Sequence, residues 1–227
     1  MNRTEQPVVV LRPFPKRIVH DGHSVSLEPL THLHVPELWN AAVNADDSWT
    51  HLRYGPFQTI KDLEEHISDF AGRDDQPFWA VRPRATGRAS GWLSLCDIAQ
   101  ADASIEIGSI WYSPGLQRTR AATEAVFLLM RHAFDELGYQ RLVWRCIAQN
   151  DASHRAAKRY GFLPEGIWRS AVDFKGQRSD IAWFAMLRHE WPSHKETLRA
   201  WLSDQNFDEN GIAQATLAQI RHRFNVP

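Results

Sequence analysis

Ser104-Ile105-Glu106-Ile107-Gly108-Ser109-Ile110-Trp111-Tyr112-Ser113-Pro114-Gly115-Leu116-Gln117-Arg118-Thr119-Arg120-Ala121-Ala122 is the stretch whose reading decides the fold. Ser104 to Tyr112 has the composition of a strand, and Ser113 to Ala122 that of a tight loop. The loop opens a helix with apolar side chains at Ala122, Ala125, Val126, Leu129, Ala133 and Leu137, one stripe on one helical face. Gly138 follows where a left-handed cap is wanted. A second strand, Arg141 to Ile147, and a short helix beyond Asn150 carry the unit to Phe162. A loop entering a helix presents unpaired backbone N–H groups and the positive end of the helix dipole. Ala121 and Ala122 leave room for close approach, and Arg118, Thr119 and Arg120 add charge and hydrogen bonds. The chemistry expected there is the holding of an anion, a phosphate above all.

Outward from this stretch, the 227 residues suffice for one domain with an appendage. A net charge of −1 gives no nucleic-acid footprint. The first twenty residues mix charge and proline and show no secretory signal. No apolar run approaches the roughly 18 residues of a membrane span. Cys96 and Cys146 stand isolated in strand-like segments and read as reduced core residues, so a cytoplasmic setting is expected. The eleven histidines are dispersed, and His20/His23 and His32/His34 lack a matching partner pair, so no metal is expected.

Before the central stretch, Val25 to Pro29 reads as a strand. Thr31 can cap a helix bearing Val35, Leu38, Trp39 and Ala42. An aromatic loop follows, from Trp49 to Phe57. Thr59 and Asp62 then form a capping signature for a helix with Ile60, Leu63, Ile67 and Phe70 as its buried stripe. Phe78 to Arg82 and Ala89 to Cys96 are strands joined by the turn 85–88. After the central stretch, Ile167 to Phe174 and Ser179 to Leu187 form a hairpin around Lys175-Gly176-Gln177. In the tail, Ser193 and Glu196 suggest a capping box for a helix with Leu198, Trp201 and Leu202. Gly211 separates it from a second helix with Ala213, Leu217, Ile220 and Phe224. The division expected is 1–190 for the domain and 191–227 for an α-helical extension.

The run Ile105-Glu106-Ile107-Gly108, the turn from Gln117 to Ala125, Asn150-Asp151-Ala152-Ser153 and Gly161-Phe162 together resemble the acyl-CoA-binding core of GNAT acetyltransferases. The likeness is specifically to the ribosomal-protein N-terminal acetyltransferase (RimJ/RimL-like) branch. Glu165-Gly166-Ile167 and Asp180 to Phe184 fit that family's closing hairpin, and the likeness covers roughly residues 20 to 190. It implies an α/β (α+β) fold with a mixed, mostly antiparallel six- to seven-stranded sheet and helices on both faces. The central parallel pair, here Ser104–Tyr112 and Arg141–Ile147, is expected to splay.

Function follows as an expectation of the same kind: N-acyl transfer from acetyl-CoA, or another acyl-CoA such as succinyl-CoA, to a primary amine. The acceptor is a small molecule or a protein N-terminus, attacking directly in a ternary complex. Gln117, Arg118, Thr119, Arg120, Ala121, Ala122 and Thr123 form the expected cofactor cradle. Arg120 stands where the family usually has glycine. The strand edge at Ile110, Trp111 and Tyr112 is expected to meet the pantetheine amides and the thioester oxygen. Glu106 is the candidate general base, with a structural carboxylate paired to an arginine as the other reading. Asn150 is expected on the pantetheine arm and Ser153 as the acid toward the leaving thiolate, although both residues also suit helix capping. The tyrosine that many relatives place seven residues after that asparagine is Ala157 here, and Tyr160 reads as core. Trp49, Tyr54 and Phe57 are the expected substrate-pocket aromatics. Asp173 either faces the same cleft or is solvated. A homodimer could form through the C-terminal helices or the sheet edge. The alternative to an enzyme is an acyl-CoA-binding regulatory or interaction module without turnover.

Overall fold

In the computed structural model, residues 10–224 are described. The expected lead-in, residues 1 to 20, therefore lies partly outside the described residues. Eight strands form one sheet in the order β1-β2-β3-β4-β5-β6-β8-β7. They are β1 (His20–Asp21), β2 (Val25–Pro29), β3 (Phe78–Pro83), β4 (Gly91–Ala99), β5 (Ser104–Tyr112), β6 (Arg141–Ile147), β7 (Leu163–Phe174) and β8 (Gln177–Leu187). The eighth strand, beyond the six or seven expected, is the two-residue β1. Every neighbouring pair is antiparallel except β5 and β6. That parallel pair is joined only at Ser104↔Arg141, Ile105↔Leu142 and Glu106↔Val143, so β5 runs free of β6 from Ile107 onward.

The two sheet faces carry separate apolar clusters. On one, α1 (Val35–Ala42) and α2 (Ile60–Gly72) bury Leu38, Leu63, Ile67 and Phe70 with Trp49, Trp92 and Trp111. On the other, α3 (Arg120–Arg131), α4 (Asp151–Tyr160), α5 (Trp191–Leu202) and α6 (Leu217–Arg223) cover Ile105, Ile107, Leu142 and Trp144. Helix α3 is buried on every side from Ala121 to Met130.

Four local expectations are corrected. Ile60 is the first residue of α2, where the axis meets solvent, and its side chain is exposed. The stripe of α3 does not continue as regular helix: His132–Glu136 form a π turn, with Leu137 N donating to His132 O, before Gly138 enters the left-handed region at φ +75°. Helix α5 starts at Trp191, ahead of the expected Ser193/Glu196 box, because Pro192 pre-sets the first turn. Ser193 O then accepts from Thr197 Oγ1 at 3.0 Å. The last helix starts at Leu217, where Thr216 and Gln219 make the capping box; Ala213 pairs with Phe207 in a β-bridge, and Phe224 is exposed.

Candidate active site

The fork between β5 and β6 is the natural centre of the site. Glu106 sits at the last paired position of β5, opposite Cys96 of β4 and Val143 of β6, and is only 5 % exposed. Burial pushes its carboxyl up to about 8. The Arg145 guanidinium, on the same face of β6, donates to Glu106 Oε2 and also pairs with Asp97, which opposes that rise. Arg145 in turn lies over the Trp183 ring, 4.7 Å from its centroid. The buried, free Cys96 thiol beside this pair is pushed up by desolvation.

Just past the fork, β5 carries a bulge. Its register with β4 shifts between Trp92/Trp111 and Ser94/Gly108, and Ser109 adopts φ +50°. The bulge is held by side chains: Gln76 Nε2 donates to Ser94 Oγ at 2.8 Å and Ser109 Oγ at 2.9 Å, and Tyr54 Oη donates to Ser109 O at 3.4 Å. Its effect is to change the parity of the strand, so Glu106 and Trp111 share a face although they are five positions apart. Ile110, Trp111 and Tyr112 lie on the stretch of β5 that β6 no longer covers. Trp111 itself stacks on Trp49 at 4.3 Å, so only its backbone is open to a ligand.

Beyond β5, the loop enters α3 through Arg118 in the left-handed region, φ +63°. Thr119 caps the helix by accepting from Ala122 N at 3.1 Å, and Thr123 Oγ1 donates to Thr119 O at 3.1 Å. Gln117 Nε2 returns to Tyr112 O at 3.0 Å. Among the described residues, the N–H groups of Arg118, Arg120 and Ala121 find no acceptor, and the exposed Arg118 side chain has no partner. These donors lie in the turn where the sequence reading expects a cofactor cradle. Arg120 differs: its guanidinium turns away from the loop to Leu202 O and Asp204 Oδ1 (2.7 Å) and lies 4.4 Å over the Phe207 ring. A cleft of about 920 Å³ beside the loop, lined by Thr119, Arg120, Arg84, Glu37 and Phe207, does not reach Glu106.

On the far wall, Asn150 caps α4, its Oδ1 accepting from Ser153 N at 3.0 Å. Ser153 Oγ accepts from Trp144 Nε1 at 2.9 Å and also contacts the Cys146 thiol, which burial raises. Asn150 thus fills its capping role, whereas Ser153 supplies only the capped N–H and turns its hydroxyl to Trp144. Ala157 and Tyr160 are core. The aromatic loop departs from the expected pocket wall. Trp49 is 1 % exposed and packs against Trp111, Tyr54 and Phe57, because a large flat ring gains most when both faces are covered. Tyr54 and Phe57 are half-buried, with Tyr54 Oη accepting from Trp92 Nε1 at 3.3 Å. The β7–β8 hairpin tip reaches this loop, Lys175 Nζ donating to Trp49 O at 3.2 Å and Thr50 O at 3.3 Å. Asp173 serves that tip, accepting from Gly176 N at 3.2 Å.

Sequence reasoning missed Arg145, Asp97, Gln76 and Ser109. Nothing local marks them, since their roles depend on which residues the strands bring level.

A family model described as an acetyltransferase (GNAT) domain matches residues 24–163. The crystal structure of a GCN5-related N-acetyltransferase from Brucella melitensis is 41% identical and superposes with a TM-score of 0.92, covering 94% of this chain and 98% of that one. YdaF of Bacillus subtilis (strain 168), provisionally named a ribosomal N-acetyltransferase, is 29% identical over 109 residues, 48% of this chain and 59% of its own length. YnaD of the same strain, named an uncharacterized N-acetyltransferase, is 28% identical over 86 residues, 38% of this chain and 50% of its own. The chain thus spans little more than half the length of these two relatives, while the family model takes in more than half of the chain itself, and on that match the chain belongs to the GNAT acetyltransferase family.

Proposed function

We propose that the chain is an N-acyltransferase that moves an acetyl or related acyl group from acyl-CoA to a primary amine in a ternary complex. One observation carries the reading: β5 parts from β6 immediately beyond a buried carboxylate, and the freed strand leads to an open helix N-terminus. The N–H groups of Arg118, Arg120 and Ala121, with the Arg118 side chain, suit a pyrophosphate. The uncovered edge from Ile110 to Tyr112 suits the amides of an extended arm. Bound acyl-CoA supplies the activated acyl group. Glu106 takes the proton from the attacking amine, and Ser153 stands as the hydroxyl toward the leaving thiolate. Asn150, a capping residue at the same wall, faces the arm. The acceptor, a small amine or a protein N-terminus, enters between the aromatic loop and the β7–β8 hairpin.

A second reading is favoured by the Glu106–Arg145 pair: a strut instead of a base, and a module that binds acyl-CoA without turnover. We place the protein in the cytoplasm on its two free cysteines; among the described residues no helix is long and apolar enough to cross a membrane. The exposed edge strand β7, with Ile167 and Trp168 outward, is the surface proposed for a homodimer.

The deciding experiment measures calorimetric binding of CoA, acetyl-CoA and succinyl-CoA to wild type and Arg118→Ala, then free-thiol release with an amine panel. Binding weakened in the variant, with amine-dependent thiol release, is the expected result. Binding without release supports the module, and no binding to any of the three overturns both readings.

A further inference from the structure

We propose that His20, His132 and Glu136 form a binding site for one divalent transition-metal ion of the zinc class, pinning β1 to the end of α3. Along the chain His20 has no matching partner pair, but the fold supplies one. Strand β1 lays His20 against the π turn that follows α3, and the His20 and His132 rings meet with centroids 4.5 Å apart at 60°. Glu136, on the same turn, has Oε2 2.6 Å from His132 Nδ1. One donor atom from each of the three residues lies within 4.8 Å of the others.

Three further features point to a ligand. The Nε2 atoms of both His20 and His132 are buried and have no hydrogen-bond partner among the described residues. A buried polar atom left so is destabilising, and coordination would relieve it. Both rings are at most 4 % exposed, so bulk water does not satisfy these nitrogens. The Glu136 carboxylate beside the two rings supplies the anionic donor that a pair of imidazoles lacks. Two imidazoles and one carboxylate suit zinc, nickel or copper over magnesium or calcium.

The π turn itself belongs to the argument, since such turns inside helices recur at functional positions. Entry is through Glu136, whose side chain is 42 % exposed, and closing the ligands to metal distance moves its carboxylate off His132 Nδ1. Arg131 is the competing cation, with Nε 3.5 Å from the other Glu136 oxygen, and its own partial exposure lets it swing out. The site lies at the opposite end of α3 from the phosphate loop, about 18 Å along twelve residues of helix. It is therefore independent of the acyl-transfer reading.

The test is calorimetric titration of chelator-treated, dialysed protein with Zn²⁺ and Ni²⁺, on wild type, Glu136→Gln and His20→Asn. Expected are one ion per chain in wild type and affinity lowered by about tenfold or more in Glu136→Gln, with circular dichroism unchanged. His20 is buried and its variant can fail to fold, so the partly exposed Glu136 carries the decision. Cobalt substitution should add visible d–d bands of a low-coordinate N/O site that Glu136→Gln diminishes. Absence of stoichiometric binding, or equal affinity in wild type and Glu136→Gln, would overturn the site in favour of a stacked histidine pair with a carboxylate.

Discussion

A carboxyl group buried between two strands keeps its charge only with help, and Glu106 has that help from Arg145. With Arg145 in place, desolvation still carries it up to about 8, close to the pH at which a base toward an ammonium-derived amine is useful. If Glu106 is the base, kcat/KM should rise with pH along a limb centred near about 8, and Glu106→Gln should remove the limb and lower the rate by about 10²- to 10⁴-fold. Arg145→Met takes away the opposing cation and should move the limb to higher pH. A pH profile unchanged in both variants, with only a lower melting temperature, would make Glu106 a strut. Glu106 was legible in the sequence through strand alternation and the family motif. Arg145 was not, because the register of a parallel pair is set by tertiary packing and no short-range pattern encodes it.

Elements were recovered where local chemistry and burial agree. Strand β5 and the cap of α2 show it, as does the α3 start: their signals lie within four or five residues and packing reinforces them. The misses fall where one residue outweighs the pattern. Pro192 advances α5, Ser109 re-phases β5, and the π turn after α3 inserts a residue into a regular stripe. Arg120 is the instructive case at the phosphate loop. Sequence made it a cofactor contact, whereas the fold spends its guanidinium on Leu202 O, Asp204 and the Phe207 ring. Helix α3 is thereby tied to the segment after α5. Arg120→Ala should cost about 1–3 kcal/mol of stability through lost charged hydrogen bonds. CoA affinity should change far less than in Arg118→Ala. Denaturant unfolding and calorimetry measure the two quantities separately; a CoA loss in Arg120→Ala as large as in Arg118→Ala would return Arg120 to the cradle.

At the scale of the molecule, two consequences follow from what is buried. His20, His66 and His194 are each lowered to about 4 by desolvation, so the unfolded chain binds protons that the folded chain refuses. The histidines' contribution is full above pH 6.5 and falls toward pH 4, by up to about 1.4 kcal/mol per pH unit for each histidine. Glu106, raised from 4.5 to about 8, works in the opposite direction across that interval: it cancels about one histidine's slope between pH 4.5 and 6.5 and lowers stability from pH 6.5 to about 8. Denaturant midpoints should therefore drop between pH 6.5 and 5; a flat series would refute the buried neutral histidines. The second consequence concerns the division at residue 190. Trp191, Leu198, Trp201, Leu202, Leu217 and Ile220 belong to the same apolar cluster as α3 and the sheet, and Trp191 Nε1 and Lys195 Nζ both reach Asp135 at 2.8 Å. At about 1.5–3 kcal/mol for each buried side chain, these six contribute about as much as the roughly 5–15 kcal/mol by which a domain is stable. A chain ending at residue 190 would expose the outer side of α3, which the intact protein buries throughout. It should lack a cooperative thermal transition and bind a hydrophobic dye, whereas a separable appendage would leave the transition of 1–190 intact and remove only its own helical signal.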